Sequence, residues 1–232
     1  MEKSPLISII IPVYNEQKTV KEAIQKVYDL SVDKEIIVVD DGSTDSSGKI
    51  IEELQKQLSF RLIKNPVNKG KGASVISGAR IATGKFCIVE DADLELNPQD
   101  ILRMLHIIQS QKIQLVNGNR RFSNQKKLNL ITQFAKILTR FMLLILFRKH
   151  IDDLLSSYKL CRLEDFRKLD IKSKRFNFET EFIIKALKLN WKIVEVPIDY
   201  YPRKAKEGKK ISLMDGVKII FSIIRLKFGY EN

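Results

Sequence analysis

The chain has 232 residues, 44% of them hydrophobic, which is enough for one good-sized domain with a substantial core or for two small ones. Its 41 basic residues exceed its 28 acidic residues by 13, so anionic partners are expected: nucleic acid, an anionic membrane surface or phosphorylated substrates. Two cysteines and no visible signal peptide argue against a disulfide scaffold and favour a reducing, cytoplasmic location.

The first half of the chain alternates apolar, β-branched runs with segments of helical periodicity. The apolar runs predict buried strands at 6–12, 35–41, 60–63, 86–89 and 115–118. Helices are predicted at 19–30, after Asp45 or Ser46 as N-cap, at 73–82 and from Pro98 to 109. Buried strands that alternate with helices predict an α/β fold, with a mostly parallel central sheet and helices on both faces.

Two common phosphate-binding fingerprints are missing from the sequence. No G-x-G-x-x-G follows the first strand, and no G-x-x-x-x-G-K-[ST] occurs anywhere. Gly70-Lys71-Gly72 is either a flexible helix entrance or a phosphate contact. Phosphate binding is therefore expected to depend mainly on an acid-bound metal and on arginines.

Three acids, Glu90, Asp91 and Asp93, follow the predicted fourth strand within four positions. In an extended chain the side chains of Asp91 and Asp93 point the same way. Two hard oxygen donors on one side suit Mg²⁺ or Mn²⁺, which in turn suits a diphosphate. The alternative is a surface turn, but the carboxyl end of a buried strand is where α/β sheets bind ligands.

Two later segments, 134–150 and 213–228, combine apolar faces with basic residues. The charge-free run of the first extends only from Phe141 to Phe147, far short of the roughly 20 residues that span a bilayer. Both segments are predicted to be amphipathic helices that lie in a membrane interface. Packing onto the chain's own core is the alternative.

Seven short motifs occur in order along nearly the whole chain, and each one alone has a plain structural alternative. They are Pro12-Val13-Tyr14-Asn15-Glu16, Val38-Val39-Asp40-Asp41-Gly42-Ser43, Asp91-Ala92-Asp93-Leu94-Glu95, Gly118-Asn119-Arg120, Asp153-Leu154-Leu155-Ser156-Ser157-Tyr158-Lys159, Phe178-Glu179-Thr180-Glu181, and Arg203 with Gly208-Lys209-Lys210. In this combination the chain resembles a family 2 glycosyltransferase of the GT-A fold, and within that group the polyprenyl-phosphate glycosyltransferases. It departs from the usual motifs at Ser157, Tyr158 and Glu95.

The resemblance implies an inverting, metal-dependent transferase. Its donor would be a GDP- or UDP-linked hexose or N-acetylhexosamine, and its acceptor a dolichyl or undecaprenyl phosphate at the cytoplasmic membrane face. The implied metal, Mg²⁺ or Mn²⁺, would be held by Asp91, Asp93 and Glu95. The implied nucleotide-sugar contacts are Pro12, Tyr14, Glu16, Val39, Asp41, Asp91, Ala92, Asp93, Arg203 and Lys210.

The chemistry of transfer requires positive charge beside the departing diphosphate, which the metal, Arg203 and Lys210 would supply. An acceptor phosphate is already ionised at neutral pH, so it needs an arginine cradle rather than a strong base. The candidates for the acceptor phosphate are Arg120, Arg140 and Ser157. The expected catalytic set is Asp91, Asp93, Arg120 and Arg203.

Two other functions remain open at this point. A glycan or protein hydroxyl acceptor would require a base such as Glu179 or Glu181. A nucleic-acid-binding module fits the charge, but acidic clusters lie where the polymer would have to bind. The preferred expectation is one GT-A catalytic domain over 1–232, peripherally attached to the membrane, as a homodimer or with an anchoring partner.

Overall fold

The computed structural model describes residues 4–120, 130–174, 177–203 and 213–229, and the side chains of 130–136 and 213–218 are not described. In these residues seven strands form one sheet in the order β3-β2-β1-β4-β6-β5-β7. All neighbouring strands run parallel except β6, which is antiparallel to both β4 and β5. The strands are β1 (Ile7–Val13), β2 (Lys34–Asp40), β3 (Arg61–Lys64), β4 (Phe86–Val89), β5 (Leu115–Asn119), β6 (Lys159–Arg162) and β7 (Ile193–Pro197).

Helices cover both faces of the sheet, which confirms the predicted α/β class. The described helices are α1 (Val20–Tyr28), α2 (Ser47–Gln55), α3 (Lys71–Ile81), α4 (Asp100–Ser110), α5 (Leu130–Phe147), α6 (Leu163–Lys168), α7 (Phe178–Lys188) and α8 (Leu213–Phe228). Helices α1, α2 and α4 pack with Ile9 in one core, while α3 and α5 to α8 pack with Ile10 in the other. Successive strand residues point to opposite faces, so a strand buried on both sides needs consecutive apolar residues, such as Ile9-Ile10-Ile11 of β1.

All five predicted strands are present, with their ends shifted by no more than two residues. Strands β6 and β7 were not predicted. In β6 only Leu160 and Cys161 are apolar, between Lys159 and Arg162, so its periodicity is too short to detect. Cys161 lies opposite Cys87 of β4, and both are buried free thiols with their sulfurs 3.9 Å apart.

Helices α5 and α8 pack against each other, and part of each lies in the core, as the second predicted alternative expects, while their place in a membrane interface stays a prediction. Leu143 of α5 and Ile223 of α8 are fully buried in the core. Phe141 and Phe221, in contrast, are exposed by 57% and 66%. Among the described residues, no helix has the length and apolar character needed to cross a membrane.

Candidate active site

The carboxyl ends of β1, β2 and β4 open onto a cleft of about 630 Å³, at the position where α/β sheets bind ligands. The cleft is lined by Pro12, Val13, Tyr14, Glu16, Asp41, Asn68, Gly70, Lys71, Ser74, Asp91, Ala92 and Asp93. A smaller pocket of about 70 Å³ adjoins it and is lined by Lys71, Asp91, Asp93, Glu95, Leu96, Arg120, Leu155, Ser157 and Tyr200. Lys71, Asp91 and Asp93 line both cavities, so they form the boundary between the two.

Most residues that the sequence assigned to a nucleotide sugar meet in the larger cleft. Those that line it are Pro12, Tyr14, Glu16, Asp41, Asp91, Ala92 and Asp93. Val39 does not, because its side chain is fully buried in the core between the sheet and α3. Lys210 lies outside the described residues.

Asp41 organises one wall of the cleft. Its Oδ1 accepts hydrogen bonds from the Asn65 amide at 2.8 Å and the Lys69 backbone N–H at 3.0 Å, while its Oδ2 accepts from the Gly70 N–H at 2.7 Å. Gly70 has a φ of 96°, a conformation that favours glycine. Asp41 therefore fixes the loop that leads into α3, whatever contact its carboxylate also makes with a ligand.

The β4 loop brings a surplus of negative charge to the cleft. Burial, and then the neighbouring carboxylates of Asp91 and Glu95, raise the pKa of Asp93 from 3.8 to about 7. The Asp91 carboxylate lies 2.8 Å from the Lys71 ammonium, and the Asp93 carboxylate lies 3.1 Å from the Arg203 guanidinium. The loop is thus an electrostatically unfavourable cluster held in place by two cations of the same chain.

Two carboxylates of this loop fit a divalent metal. Among the described residues, no group of three or more His, Cys, Asp or Glu side chains is already arranged to hold one, so the three-carboxylate set stays a prediction. Glu95 accepts hydrogen bonds from the Tyr200 hydroxyl at 3.1 Å and the Arg203 N–H at 3.0 Å. Asp91 and Asp93 remain as oxygen donors, and Mg²⁺-type sites commonly use one or two carboxylates together with substrate phosphates and water.

Arg203 joins the loops that follow β1 and β4. Its guanidinium donates to both oxygens of Glu16, at 3.0 and 3.1 Å, and to Asp93. Tyr201 secures the same segment, because its N–H donates to the Glu95 carbonyl at 2.8 Å. The structure therefore places the predicted Arg203 at the rim of the cleft, in contact with two of its lining acids.

The smaller pocket contains two of the three residues predicted for an acceptor phosphate. Ser157 lines it, and so does Arg120, whose Nε and Nη2 each lie 2.9 Å from an oxygen of the fully buried Asp153. Burial lowers the pKa of Arg120, but the charge of Asp153 outweighs it, so the pKa is raised and the group stays cationic. The third residue, Arg140, pairs with Asp152 at 3.0 Å and lines neither cavity.

Lys71 was not predicted as a site residue, although its glycine-flanked position was recognised as a possible phosphate contact. Besides Asp91, its ammonium pairs with Glu179 of α7 at 2.7 Å. Burial lowers the pKa of Lys71, but the charges of Asp91 and Glu179 more than offset this and raise it. The pairing with Glu179 joins distant parts of the chain, so no local sequence signal announces it.

Two further polar groups near the β4 loop are buried: Ser74, which the sequence did not single out, and Glu90, which it grouped with Asp91 and Asp93 without predicting its burial. Ser74 lines the cleft and is 0% exposed, and its buried hydroxyl has no hydrogen-bond partner among the residues that the structure describes. Glu90 is buried beneath the loop and accepts a short hydrogen bond from the Tyr158 hydroxyl. Burial is the main cause that raises the pKa of Glu90 well above its ordinary value.

Glu181, a candidate base by sequence, is held by the surrounding chain. Its oxygens accept hydrogen bonds from the N–H groups of Lys172 at 2.9 Å and Ser173 at 2.7 Å, and the Lys185 ammonium lies 2.8 Å away. Burial raises the pKa of Glu181, but these hydrogen bonds outweigh it and lower the pKa below 4.5. Glu181 thus anchors the 172–173 segment against α7 and lines neither cavity.

Known proteins resemble the chain over almost its whole length. It is 29% identical, over an alignment of 248 positions, to the dolichyl-phosphate beta-glucosyltransferase of Dictyostelium discoideum, and the alignment covers 97% of this chain and 74% of that protein. It is 28% identical over 245 residues to the UDP-N-acetylglucosamine–dolichyl-phosphate N-acetylglucosaminyltransferase of Methanococcus voltae, with 97% of each covered.

Solved structures resemble the fold. The glucosyl-3-phosphoglycerate synthase of Mycobacterium tuberculosis, in complex with Mn²⁺, uridine diphosphate and phosphoglyceric acid, superposes with a TM-score of 0.73 at 19% identity. The match covers 98% of this chain and 80% of that one, and it confirms the predicted GT-A fold.

The family model described as glycosyl transferase family 2 matches residues 8–170. The matched range contains every residue that lines the larger cleft, including Asp91, Ala92 and Asp93. The match, the fold and the cleft at the ends of β1, β2 and β4 agree, and the chain belongs to glycosyl transferase family 2.

Proposed function

We propose that this protein transfers a sugar from a nucleoside-diphosphate sugar to a polyprenyl phosphate, with inversion at the anomeric carbon and with Mg²⁺ or Mn²⁺. The observation that carries the proposal is the smaller pocket, where a buried arginine and a serine adjoin the donor cleft. Both named relatives are transferases of dolichyl phosphate, which supports the same class of acceptor here.

The larger cleft suits the donor in size and in chemistry. Its volume of about 630 Å³ falls within the roughly 300–1,000 Å³ of typical small-molecule sites. Asp91 and Asp93 would hold the metal, which would neutralise charge on the departing diphosphate. Arg203, at the rim, would pair with phosphate oxygens in place of its present contact with Asp93.

Because the Ser74 hydroxyl has no partner among the described residues, Ser74→Ala is expected to increase stability and to weaken donor binding. In the free protein, Ser74→Ala removes a buried, unsatisfied polar group and is expected to raise the free energy of unfolding by about 1 kcal/mol. A polar group of the donor would satisfy that hydroxyl, so donor binding is expected to weaken by about tenfold. Chemical denaturation and calorimetric titration with nucleoside-diphosphate sugars measure the two effects.

Ser77→Ala is the matched control, because Ser77 lies on the same helix but donates to the Ala73 carbonyl and lines neither cavity. It is expected to leave donor affinity unchanged. Unchanged affinity in Ser74→Ala would remove Ser74 from the donor site.

The contacts of the two candidate bases, Glu179 and Glu181, and of Asp153 favour an ionised acceptor over a hydroxyl. Among the described residues, each of these three acids already has a cationic or hydrogen-bonding partner. Asp153 pairs with Arg120, Glu179 pairs with Lys71, and Glu181 accepts from the backbone and from Lys185. A hydroxyl acceptor requires a base that can take its proton, whereas a phosphate monoester requires only positive charge.

Glu181→Gln separates these two acceptors. We expect it to lower the free energy of unfolding by about 1–3 kcal/mol at neutral pH, because it removes a charged acceptor of buried hydrogen bonds. Since the folded pKa of Glu181 is depressed, its stabilisation is present above pH 4.5 and is lost as the pH falls through the folded pKa. The difference from wild type should therefore shrink in acid, as measured by denaturation at several pH values.

Transfer by Glu181→Gln should fall far less than the roughly 10²–10⁴-fold that a general base contributes. A loss of that size without a loss of stability would identify Glu181 as a base and favour a hydroxyl acceptor. The Lys185 partner supplies a control, because Lys185→Met should reproduce the change in stability without touching either cavity.

The exposed faces of α5 and α8 would place the enzyme at the lipid. Phe141, Ile145, Phe221 and Phe228 are exposed by 57–66% and belong to two helices that pack together. The Lys227 ammonium lies 4.5 Å from the centre of the Phe147 ring, so basic charge adjoins this apolar surface. An apolar face with basic neighbours and a net charge of +13 suits peripheral attachment to an anionic membrane.

A transfer assay tests the proposal directly. Purified protein would be incubated with Mn²⁺, a polyprenyl phosphate in detergent and each of a panel of radiolabelled UDP- and GDP-sugars. The expected result is a metal-dependent, organic-extractable glycolipid with at least one donor. Transfer to glycan or peptide hydroxyls but not to the lipid phosphate would overturn the acceptor assignment.

A further inference from the structure

Lys71 is the one cation among the three described residues that line both cavities. It is the first residue of α3, and Gly72 holds that end of the helix against the chain at Ser173, where a side chain would collide with the Ser173 carbonyl. Its side chain is only 25% exposed. Lys71 is therefore built into the boundary between the donor cleft and the smaller pocket.

The ammonium of Lys71 pairs with two carboxylates that come from different elements of the fold. It lies 2.8 and 2.9 Å from the two oxygens of Asp91, which follows β4, and 2.7 Å from Glu179, which lies in the first turn of α7. One positively charged ammonium group thus pairs with two negatively charged carboxylates. Any divalent cation that Asp91 binds competes with Lys71 for the same carboxylate and repels its ammonium.

We propose that Lys71 couples the two cavities, because its ammonium leaves the Asp91 carboxylate and binds the acceptor phosphate instead. Without metal, Asp91 and Glu179 hold the ammonium, so it is not available to an acceptor phosphate in the smaller pocket. When metal and donor diphosphate take Asp91, the ammonium joins Arg120 and Ser157 as a third ligand of the acceptor phosphate. This inference rests on the proposed function and names Lys71 as the residue that links the two cavities.

The coupling is a binding property and can be measured without turnover. The probe is a water-soluble, short-chain isoprenyl phosphate, titrated calorimetrically into the full chain alone and into the chain saturated with Mn²⁺ and a nucleoside diphosphate. In the wild type, the metal and the nucleotide are expected to tighten acceptor binding by about tenfold, within the usual range for coupled sites. Because coupling is reciprocal, the isoprenyl phosphate should tighten nucleotide binding by the same factor.

In Lys71→Met, the metal and the nucleotide are expected to tighten acceptor binding by less than about twofold, since no ammonium remains to change partners. Lys69→Met is the matched control: it removes the same charge two residues earlier, from an exposed side chain that lines neither cavity. It should keep the full factor. Lys71→Gln, which retains hydrogen bonding to both carboxylates, replaces Lys71→Met if that variant does not fold.

Three results would count against the inference, and they are distinguishable. Full coupling in a folded Lys71 variant, or none in the wild type, would overturn the role of Lys71 and leave the proposed transfer intact. A wild-type protein that binds Mn²⁺ and nucleotide but no isoprenyl phosphate would overturn the proposed acceptor, and the inference with it.

Discussion

Asp93→Ala is expected to reduce sugar transfer by about 10³-fold, because it would remove a ligand of the proposed metal, which would stabilise the departing diphosphate. The metal-dependent part of donor binding should disappear with it. The fold should survive, since Arg203 keeps both of its hydrogen bonds to Glu16 when Asp93 is gone. Removing a carboxylate whose pKa is raised by burial, Asp91 and Glu95 also relieves repulsion in the loop.

Initial rates with saturating Mn²⁺, and calorimetric titration of the nucleotide with and without Mn²⁺, measure these effects. Asp29→Ala provides the control, because Asp29 is an exposed acid at the end of α1 that lines neither cavity. It should match the wild type in both measurements. Metal-dependent transfer that persists in Asp93→Ala would show that the cation binds elsewhere.

Charge placed on the exposed face of α5 and α8 is expected to detach the protein from membranes. Phe141 and Phe221 are exposed by 57% and 66%, and burying a phenylalanine side chain contributes roughly 1.5–3 kcal/mol. The double variant Phe141→Asp, Phe221→Asp is therefore expected to weaken the free energy of membrane binding by about 3–6 kcal/mol, which corresponds to a loss of about 10²–10⁴-fold in affinity for the membrane. Sedimentation with vesicles that contain anionic lipid measures the loss.

Because both side chains are exposed, the double variant should unfold at nearly the wild-type temperature. Tyr28→Asp places the same charge on an exposed aromatic position of α1, which covers the other face of the sheet, and should leave vesicle binding unchanged. Equal binding by the wild type and the double variant would mean that α5 and α8 do not meet the membrane.

The fold was predictable where burial on both faces leaves a strong pattern in the sequence. Strands β1 and β4 are short runs of apolar residues, and their ends mark the cleft. Strand β6 was missed because its antiparallel pairing with β4 and β5 depends on tertiary contacts rather than on a periodic pattern.

The cleft was predictable where polar residues follow a strand end, as at Tyr14, Asp91 and Asp93, which line it. It was not predictable where a side chain's partner comes from a distant segment. Lys71 meets Glu179 only when α3 and α7 pack on the same face of the sheet. The same limit applies to Glu95, because its carboxylate accepts hydrogen bonds from Tyr200 and Arg203, which are distant in sequence.

The proposed transfer depends most on a cation at the carboxyl end of β4, and anomalous scattering from manganese tests directly whether one binds there. Crystals grown with Mn²⁺ and a nucleoside diphosphate should show an anomalous peak within roughly 2–2.5 Å of an Asp93 oxygen, the range of bonds between divalent metals and oxygen. Lys71 and Arg203 should then have left Asp91 and Asp93. Nucleotide density without such a peak, with both acid–base pairs intact, would contradict the account.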